Sequence, residues 1–318
     1  RNSWTNWNSH LFVNQLSRSA TGKLVCFIGR RREISVKMLR SGFGARTAKS
    51  LGSASAGKQN VADRAKGADN VVRAVSGIDL AIWLDAEDLT GTFGEAAQIT
   101  TWPKKAGSGA SPTADSGKRP LFDGDGFNKR PAVLFDASND SIKWAAAGLI
   151  GTNMAANTLI AVNVSAVAGS TKMLFEMGTG YNQGSRSLAM YYQGGNKFVT
   201  GMGASVDFDE ETVALCVPNI LNVCLSVFDR NLPDGSAIKT YINGQPAAIA
   251  GPETGNNDAT TDWENQPSYL GSRNNGALPF NGHVREFIVL RRALTVGEAS
   301  RIGKALMNKN GITRMYAG

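Results

Sequence analysis

From about residue 78 onward, apolar residues come in short runs closed by Gly, Asn, Asp, Ser or Pro. Leu80–Leu84, Ala132–Phe135, Thr158–Val164, Lys172–Glu176, Ser187–Tyr192, Leu221–Phe228, Ala237–Ile242 and Val284–Leu290 are the clearest. Repeated short runs without long intervening helices predict an all-β sandwich or barrel. Asn243-Gly244 and Asn281-Gly282 tolerate the positive φ of tight hairpins, and Asp234-Gly235 offers a third such turn. Two segments break the pattern with three- and four-residue spacing. In the first, Val61, Ala65, Ala68, Val72 and Val75 predict a helix ending at Ser76-Gly77. Its alanine and valine stripe is weak alone and needs other copies or a partner to pack on. In the second, Thr295-Val-Gly-Glu298 is a capping box leading into Val296, Ala299, Ile302, Ala305 and Leu306. There Lys304 and Lys309 suit the negative helix end, and Asn310-Gly311 supplies the stop.

Charge divides the chain at the same place. Residues 1–77 hold 14 Lys/Arg against 3 Asp/Glu, and residues 78–318 hold 20 against 23, so a net of +11 sits beside −3. The first quarter contains two runs readable as strands, Lys23–Ile28 and Ile34–Leu39, with Arg30, Arg31 and Arg32 between them. A basic stretch of small residues follows from Arg40 to Lys58, too poor in apolar surface to fold alone. We read residues 1–77 as a basic N-terminal anchoring arm and residues 78–318 as the sandwich domain. In that reading Arg30, Arg31, Arg32, Lys37, Arg40 and Arg46 dock the arm on an acidic protein lattice. Nucleic acid is the weaker partner, because the arm shows no recognised nucleic-acid fold and almost no aromatics after Phe43. The weak helix adds the expectation of a homo-oligomer.

Composition supports one sizeable core: 42% of the 318 residues are hydrophobic, and 36 glycines against 10 prolines supply many turns. No apolar stretch is long enough to span a membrane, so a membrane partner is not expected. The polar first residues lack the apolar core of a secretory signal, which is read as no signal or one already removed. Cys26, Cys216 and Cys224 are an odd, sparse set, against a disulfide-stapled scaffold. Cys216 and Cys224 lie in apolar runs and read as buried thiols of a protein that folds in a reducing cytoplasm.

Several segments together resemble a known family. Leu80–Ala86 with Ile99–Ser108 is similar to the opening of laminin-G-like, concanavalin A-like lectin/glucanase sandwiches, although Pro103-Lys-Lys-Ala-Gly107 replaces the usual Asp-x-Ser-Gly turn. Lys118–Pro120, Arg130–Asp136, Thr240–Gly244, Leu270–Arg273, Phe280–Ile288 and Leu294–Glu298 follow in the family's order. The resemblance implies a two-sheet antiparallel jelly-roll with one C-terminal helix, in a binding or display role. Because such domains occur in bacterial surface proteins and often in tailed-phage virions, it further implies a virion protein that folds in the host cytoplasm.

Sites of chemistry are sparse. Asp207, Asp209 and Glu211 alternate as glycosidase carboxylates do, but in the wrong order and on no apolar strand. Of the two histidines, His10 lies in the arm, and His283 reads as an ordinary strand residue. No His/Cys metal spacing exists, and no cofactor is expected. Calcium is the one ion weighed, at Asp123/Asp125 or Asp136/Asp140, and simple turns are preferred there. Glu286 alternates with Val284, Ile288 and Leu290, which points it at the core with Arg273 or Arg285 as partner. Sugar-stacking platforms are sought among loop aromatics beside amides: Tyr181, Tyr191, Tyr192, Trp263 and Asn265. The leading expectation is a non-enzymatic structural protein of a tailed-phage particle, as capsid decoration or tail component. Its alternative is a carbohydrate-binding module for surface glycans, and a glycoside hydrolase is least favoured.

Overall fold

The computed structural model describes residues 16–18, 24–26 and 61–313, without 146–148, 151–154, 167–169, 179–186, 195–196, 204–207, 233–235, 248–262, 264–265 and 275. The chain divides into two compact units, Arg1–Gly57 and Lys58–Gly318. In the first, β1 (Leu16–Arg18) and β2 (Leu24–Cys26) pair antiparallel with Leu16 opposite Cys26. β2 falls in the expected run 23–28. The run 34–39 and the basic residues Arg30, Arg31, Arg32, Lys37, Arg40 and Arg46 lie outside the described residues.

The second unit runs α1 (Val61–Ser76), β3 (Leu80–Asp85), β4 (Leu121–Asp123), β5 (Ala132–Asp136), β6 (Ile142–Trp144), β7 (Ala156–Ser165), β8 (Lys172–Met177), β9 (Leu188–Gln193), β10 (Lys197–Gly203), β11 (Phe208–Leu215), β12 (Asn222–Asp229), β13 (Ile238–Ile242), β14 (Gln245–Pro246), β15 (Ser268–Leu270), β16 (Asn281–Leu290) and α2 (Val296–Asn310). A six-stranded sheet has the order β11-β10-β9-β8-β15-β6, and an eight-stranded sheet the order β14-β13-β12-β7-β16-β5-β4, with β3 also on β16. This is the two-sheet antiparallel sandwich expected from the sequence, with its C-terminal helix.

Both faces of the eight-stranded sheet are covered. Its inner face meets the six-stranded sheet in a core that includes Phe135, Trp144, Leu159, Ala161, Phe175, Phe198 and Phe287. Its outer face carries Leu80, Trp83, Ile160, Val162, Ile288 and Leu290, which pack under Val72 and Val75 of α1 and Ala299, Ile302 and Leu306 of α2. β7 is therefore buried along nearly its whole length, with the unbroken apolar run Leu159–Val162 at its centre, since neither set of its alternating side chains reaches water.

Two expectations change here. The boundary expected at 77/78 falls at Gly57/Lys58, because α1 belongs to the sandwich unit. Its weak stripe finds its partner in the same chain: Val72 and Val75 are buried with the sheet and α2. Asn281-Gly282 makes no hairpin but opens β16. Gly282 has φ +151, and a Cβ there would collide with the carbonyl of Val164 on the neighbouring strand. Asn243-Gly244 does form the tight β13–β14 turn, at φ 52 and 73. Gly303 of α2 sits directly on it, so close that a Cβ at Gly303 would be 2.6 Å from the Gly244 Cα.

α2 starts as expected: Thr295 Oγ1 accepts from the Glu298 amide at 3.3 Å, and Glu298 accepts from the Thr295 amide at 2.9 Å. Gly311 closes it in the left-handed region at φ 68. Arg292 ties the two helices together, donating to Glu298 through two nitrogens (3.0 and 2.8 Å) and to the Val75 carbonyl at the end of α1 (2.6 Å).

Candidate functional site

Strand alternation decides which side chains the outer face of the six-stranded sheet presents. In β6, Ile142 and Trp144 enter the core and Lys143 faces out; in β15, Leu270 faces in and Tyr269 out. In β8, Phe175 and Met177 face in and Glu176 out. In β9 and β10, Ala189 and Gly201 share that outward face. Register then lines them up across the sheet as Lys143–Tyr269–Glu176–Ala189–Gly201, with Glu211 of β11 next. A parallel row holds Met173, Tyr191 and Val199.

Ion pairs frame this surface. Lys143 Nζ meets the Asp115 carboxylate at 2.7 Å, both side chains about one-third exposed. Glu176 is buried and holds Arg273 Nε at 3.3 Å while accepting the Asn274 amide at 2.9 Å. Burial raises the Tyr269 phenol above its ordinary pKa, with Lys143 opposing and Glu176 and Asp115 reinforcing the shift. The result is a row of aromatic and hydrogen-bonding groups beside Ala189 and Gly201, in which Lys143 and Asp115 reach solvent, Tyr269 is 7% exposed, and Glu176, Ala189 and Gly201 are buried.

A second charged cluster lies on the other side of the molecule, under α1 and α2. Lys309 Nζ contacts Asp85 (2.6 Å), Glu286 (2.9 Å) and Asp69 (3.2 Å), and Lys105 Nζ contacts Asp85 (2.7 Å) and Asp69 (2.9 Å). Trp83 Nε1 and Asn310 Nδ2 donate to Glu286 at 3.1 and 3.0 Å. The Lys105 and Lys309 ammonium groups also lie 4.8 and 5.3 Å from the Trp83 ring centre. Burial pushes Asp85 upward, but Lys309 and Lys105 outweigh it and hold the group below its usual value. Burial and the Asp85 charge raise Glu286. Asp85, Glu286 and Lys309 are sealed from solvent, so the cluster fastens the helices to the sheet and offers no surface to a ligand.

The sequence-derived site residues fare unevenly. Tyr192 and Trp263 are not platforms: Tyr192 enters the inter-sheet core, and Trp263 is 1% exposed, edge-on to Phe228 and beneath Arg230. Tyr191 does face outward but is 3% exposed, packed with Met173, Ala189 and Val199. These rings are large apolar surfaces, and closing the core outweighs leaving them in water. Tyr181 and Asn265 lie outside the described residues, as does Asp207 of the acidic triplet. His283 pairs with Asp123 at 2.9 Å, and Asp140 accepts the Asp136 amide at 2.9 Å. The described residues contain no group of three or more His, Cys, Asp or Glu placed to hold a metal.

Glu286 is buried as expected, but neither Arg273 nor Arg285 is its partner. A register irregularity between Val284 and Glu286 breaks the alternation. Val284 and Phe287 then face the inter-sheet core, while Glu286 joins Ile288 and Leu290 on the helix side, where Lys309 waits. Arg285 reaches Glu87 at 3.3 Å. Sequence reasoning missed Tyr269, Lys143 and Glu176 as a set. The available signal was a charged residue inside each of two apolar runs, but pairing between distant strands was needed to join them.

A family model described as the concanavalin A-like lectin/glucanases superfamily matches residues 136–300. Comparison with curated protein sequences returned no match. Among solved structures, Trypanosoma rangeli sialidase in complex with 2,3-difluorosialic acid superposes with a TM-score of 0.51 at 16% identity, covering 77% of this chain and 38% of the sialidase. The CBM40 domain of Ruminococcus gnavus IT-sialidase bound to α2,3 sialyllactose superposes with a TM-score of 0.37 at 16% identity, covering 47% of this chain and 83% of that domain. At such identity the likeness is one of fold. The expected role as a structural component of a tailed-phage particle, docked on capsid or tail proteins, is corrected by the family match, which is to lectins and glucanases. The carbohydrate-binding alternative is the reading that agrees with it.

Proposed function

Because this chain belongs to the concanavalin A-like lectin/glucanases superfamily, we propose that its sandwich is a carbohydrate-binding module whose ligand face is the outer surface of the six-stranded sheet. The observation that carries the reading is the row Lys143–Tyr269–Glu176 beside Ala189 and Gly201. A pyranose presents an apolar face and a rim of hydroxyls. Tyr269, 7% exposed, supplies an aromatic edge, Lys143, Arg273 and Asn274 supply donors, and Asp115 supplies an acceptor oriented by its ion pair, while the buried Glu176 holds Arg273 and Asn274 in place from beneath.

The module binds without turnover in this proposal. Hydrolysis of a glycosidic bond needs a pair of carboxyl groups flanking it, and on this face Glu176 is buried in its pairing with Arg273 while Asp115 is paired with Lys143.

An array of neutral and acidic oligosaccharides probed with residues 58–318 tests the reading. Binding should appear in the wild type and fall at least tenfold in Tyr269→Ala and Lys143→Ala, with unchanged circular dichroism. Absence of binding to any glycan would overturn the assignment, and release of a shortened sugar would overturn its non-enzymatic part.

A further inference from the structure

Cys216 and Cys224 belong to different layers of the sandwich. Cys216 follows β11 at the edge of the six-stranded sheet, and Cys224 sits within β12 of the eight-stranded sheet. Both are free and buried, and their Sγ atoms are 4.0 Å apart. Tyr192 Oη lies 3.7 Å from Cys216 Sγ and 3.5 Å from Cys224 Sγ, and it donates to Asn163 Oδ1 at 2.6 Å. The phenol oxygen is within hydrogen-bond reach of both thiols, and either partner of each contact can donate. The two sulfurs are thus held face to face inside an otherwise apolar core.

We propose that Cys216 and Cys224 are a reversible disulfide site that bolts the two sheets together. Bond formation requires the sulfurs to close to about 2.0 Å, which side-chain rotation at the end of an edge strand can supply. Leu215, the residue before Cys216, is 74% exposed, so the segment that carries Cys216 lies where the edge strand meets solvent. Local opening of that edge gives a low-molecular-weight disulfide access to Cys216.

The Cys216 thiolate attacks one sulfur of oxidised glutathione. It forms a mixed disulfide and releases one glutathione thiolate, which takes up the Cys216 proton. The Cys224 thiolate then displaces the second glutathione, which takes up the Cys224 proton. Two protein thiols are oxidised, and one glutathione disulfide is reduced to two thiols. Cys224 suits the resolving step. Its burial raises the thiol, but hydrogen bonds involving Cys216, Tyr192 and Asn163 outweigh that and hold it below its ordinary value. The hydrogen bond with Cys224, then burial, raise Cys216 in the closed state. The inference stands apart from the glycan reading, since neither sulfur belongs to the ligand face.

The test uses the full chain carrying Cys26→Ser, equilibrated with oxidised glutathione, then denatured for thiol titration and intact mass. Two titratable thiols should fall to none, with a mass loss of two hydrogens, no glutathione retained, and full recovery in dithiothreitol. The thermal midpoint should rise by several degrees on oxidation. With Cys224→Ser as well, the reaction should stop at one retained glutathione. Two thiols still titratable at equilibrium, two retained glutathiones, or disulfide-linked dimers would each overturn the proposal.

Discussion

Lys309, at the C-terminal end of α2, places its ammonium 2.6 Å from the carboxylate of Asp85, 224 residues earlier at the end of β3. The contact closes the last helix onto the strand that follows the first helix. It also neutralises a carboxylate that has almost no access to water.

Removing the ammonium should therefore be costly. Lys309→Met leaves Glu286 without an ammonium partner and Asp85 with Lys105 alone, and we expect a loss of about 3–5 kcal/mol in urea unfolding. Asp69→Asn removes a partly exposed partner of the same lysine and should cost about 1 kcal/mol or less. Equal effects for the two variants would contradict the sealed character of the cluster.

The domain boundary can be checked by truncation. Residues 58–318 should unfold with the same midpoint as the full chain's sandwich transition. Residues 78–318 lose Val72, Val75 and Asp69 from the face around Trp83. Each buried valine contributes about 1.5–3 kcal/mol, so the shorter piece should be several kcal/mol less stable or fail to fold.

Glu298 sets a low-pH limit on α2. Its hydrogen bonds with Arg292 hold its pKa down at about 2, against an ordinary 4.5. A depressed carboxylate contributes stability above its unfolded pKa and loses it as pH falls through the folded one. Wild type should therefore lose this contribution between about pH 4.5 and pH 2. Glu298→Gln should lack that part of the titration and be about 1 kcal/mol less stable at pH 7, as read by chemical denaturation.

Asp140 acts in the opposite sense. Burial is the main cause that lifts its pKa from 3.8 to about 6. A raised carboxylate stabilises the fold fully below its unfolded pKa, and that contribution disappears as pH rises through the folded value. Stability from this group should thus decline between about pH 4 and pH 6. Asp140→Asn keeps an oxygen for the Asp136 amide and should flatten the decline. An unchanged pH profile in the variant would refute the assignment.

Local signals proved sound where the physics is local. The Thr295/Glu298 capping box, the Gly311 stop and the Asn243-Gly244 turn each depend on atoms a few residues apart, and each forms as read. Asn281-Gly282 carried the same two residue types and misled. There the glycine answers to Val164 on a neighbouring strand instead of to a turn. The aromatic platforms failed for a related reason. Tyr191 and Tyr192 are adjacent in sequence and on opposite faces of one sheet, and composition cannot say which face water reaches.

By itself, the amino-acid sequence determined the β-rich class, both helices and the burial of Cys216, Cys224 and Glu286, because periodicity and apolar context act within a strand or a turn of helix. Only the tertiary structure decided that α1 belongs to the sandwich, that Glu286 answers to Lys309, that two thiols from different sheets meet at 4.0 Å, and that Lys143, Tyr269 and Glu176 share one row. Each of these depends on register between strands far apart in the chain. A one-residue bulge such as that beside Arg285 reverses the facing of every side chain beyond it.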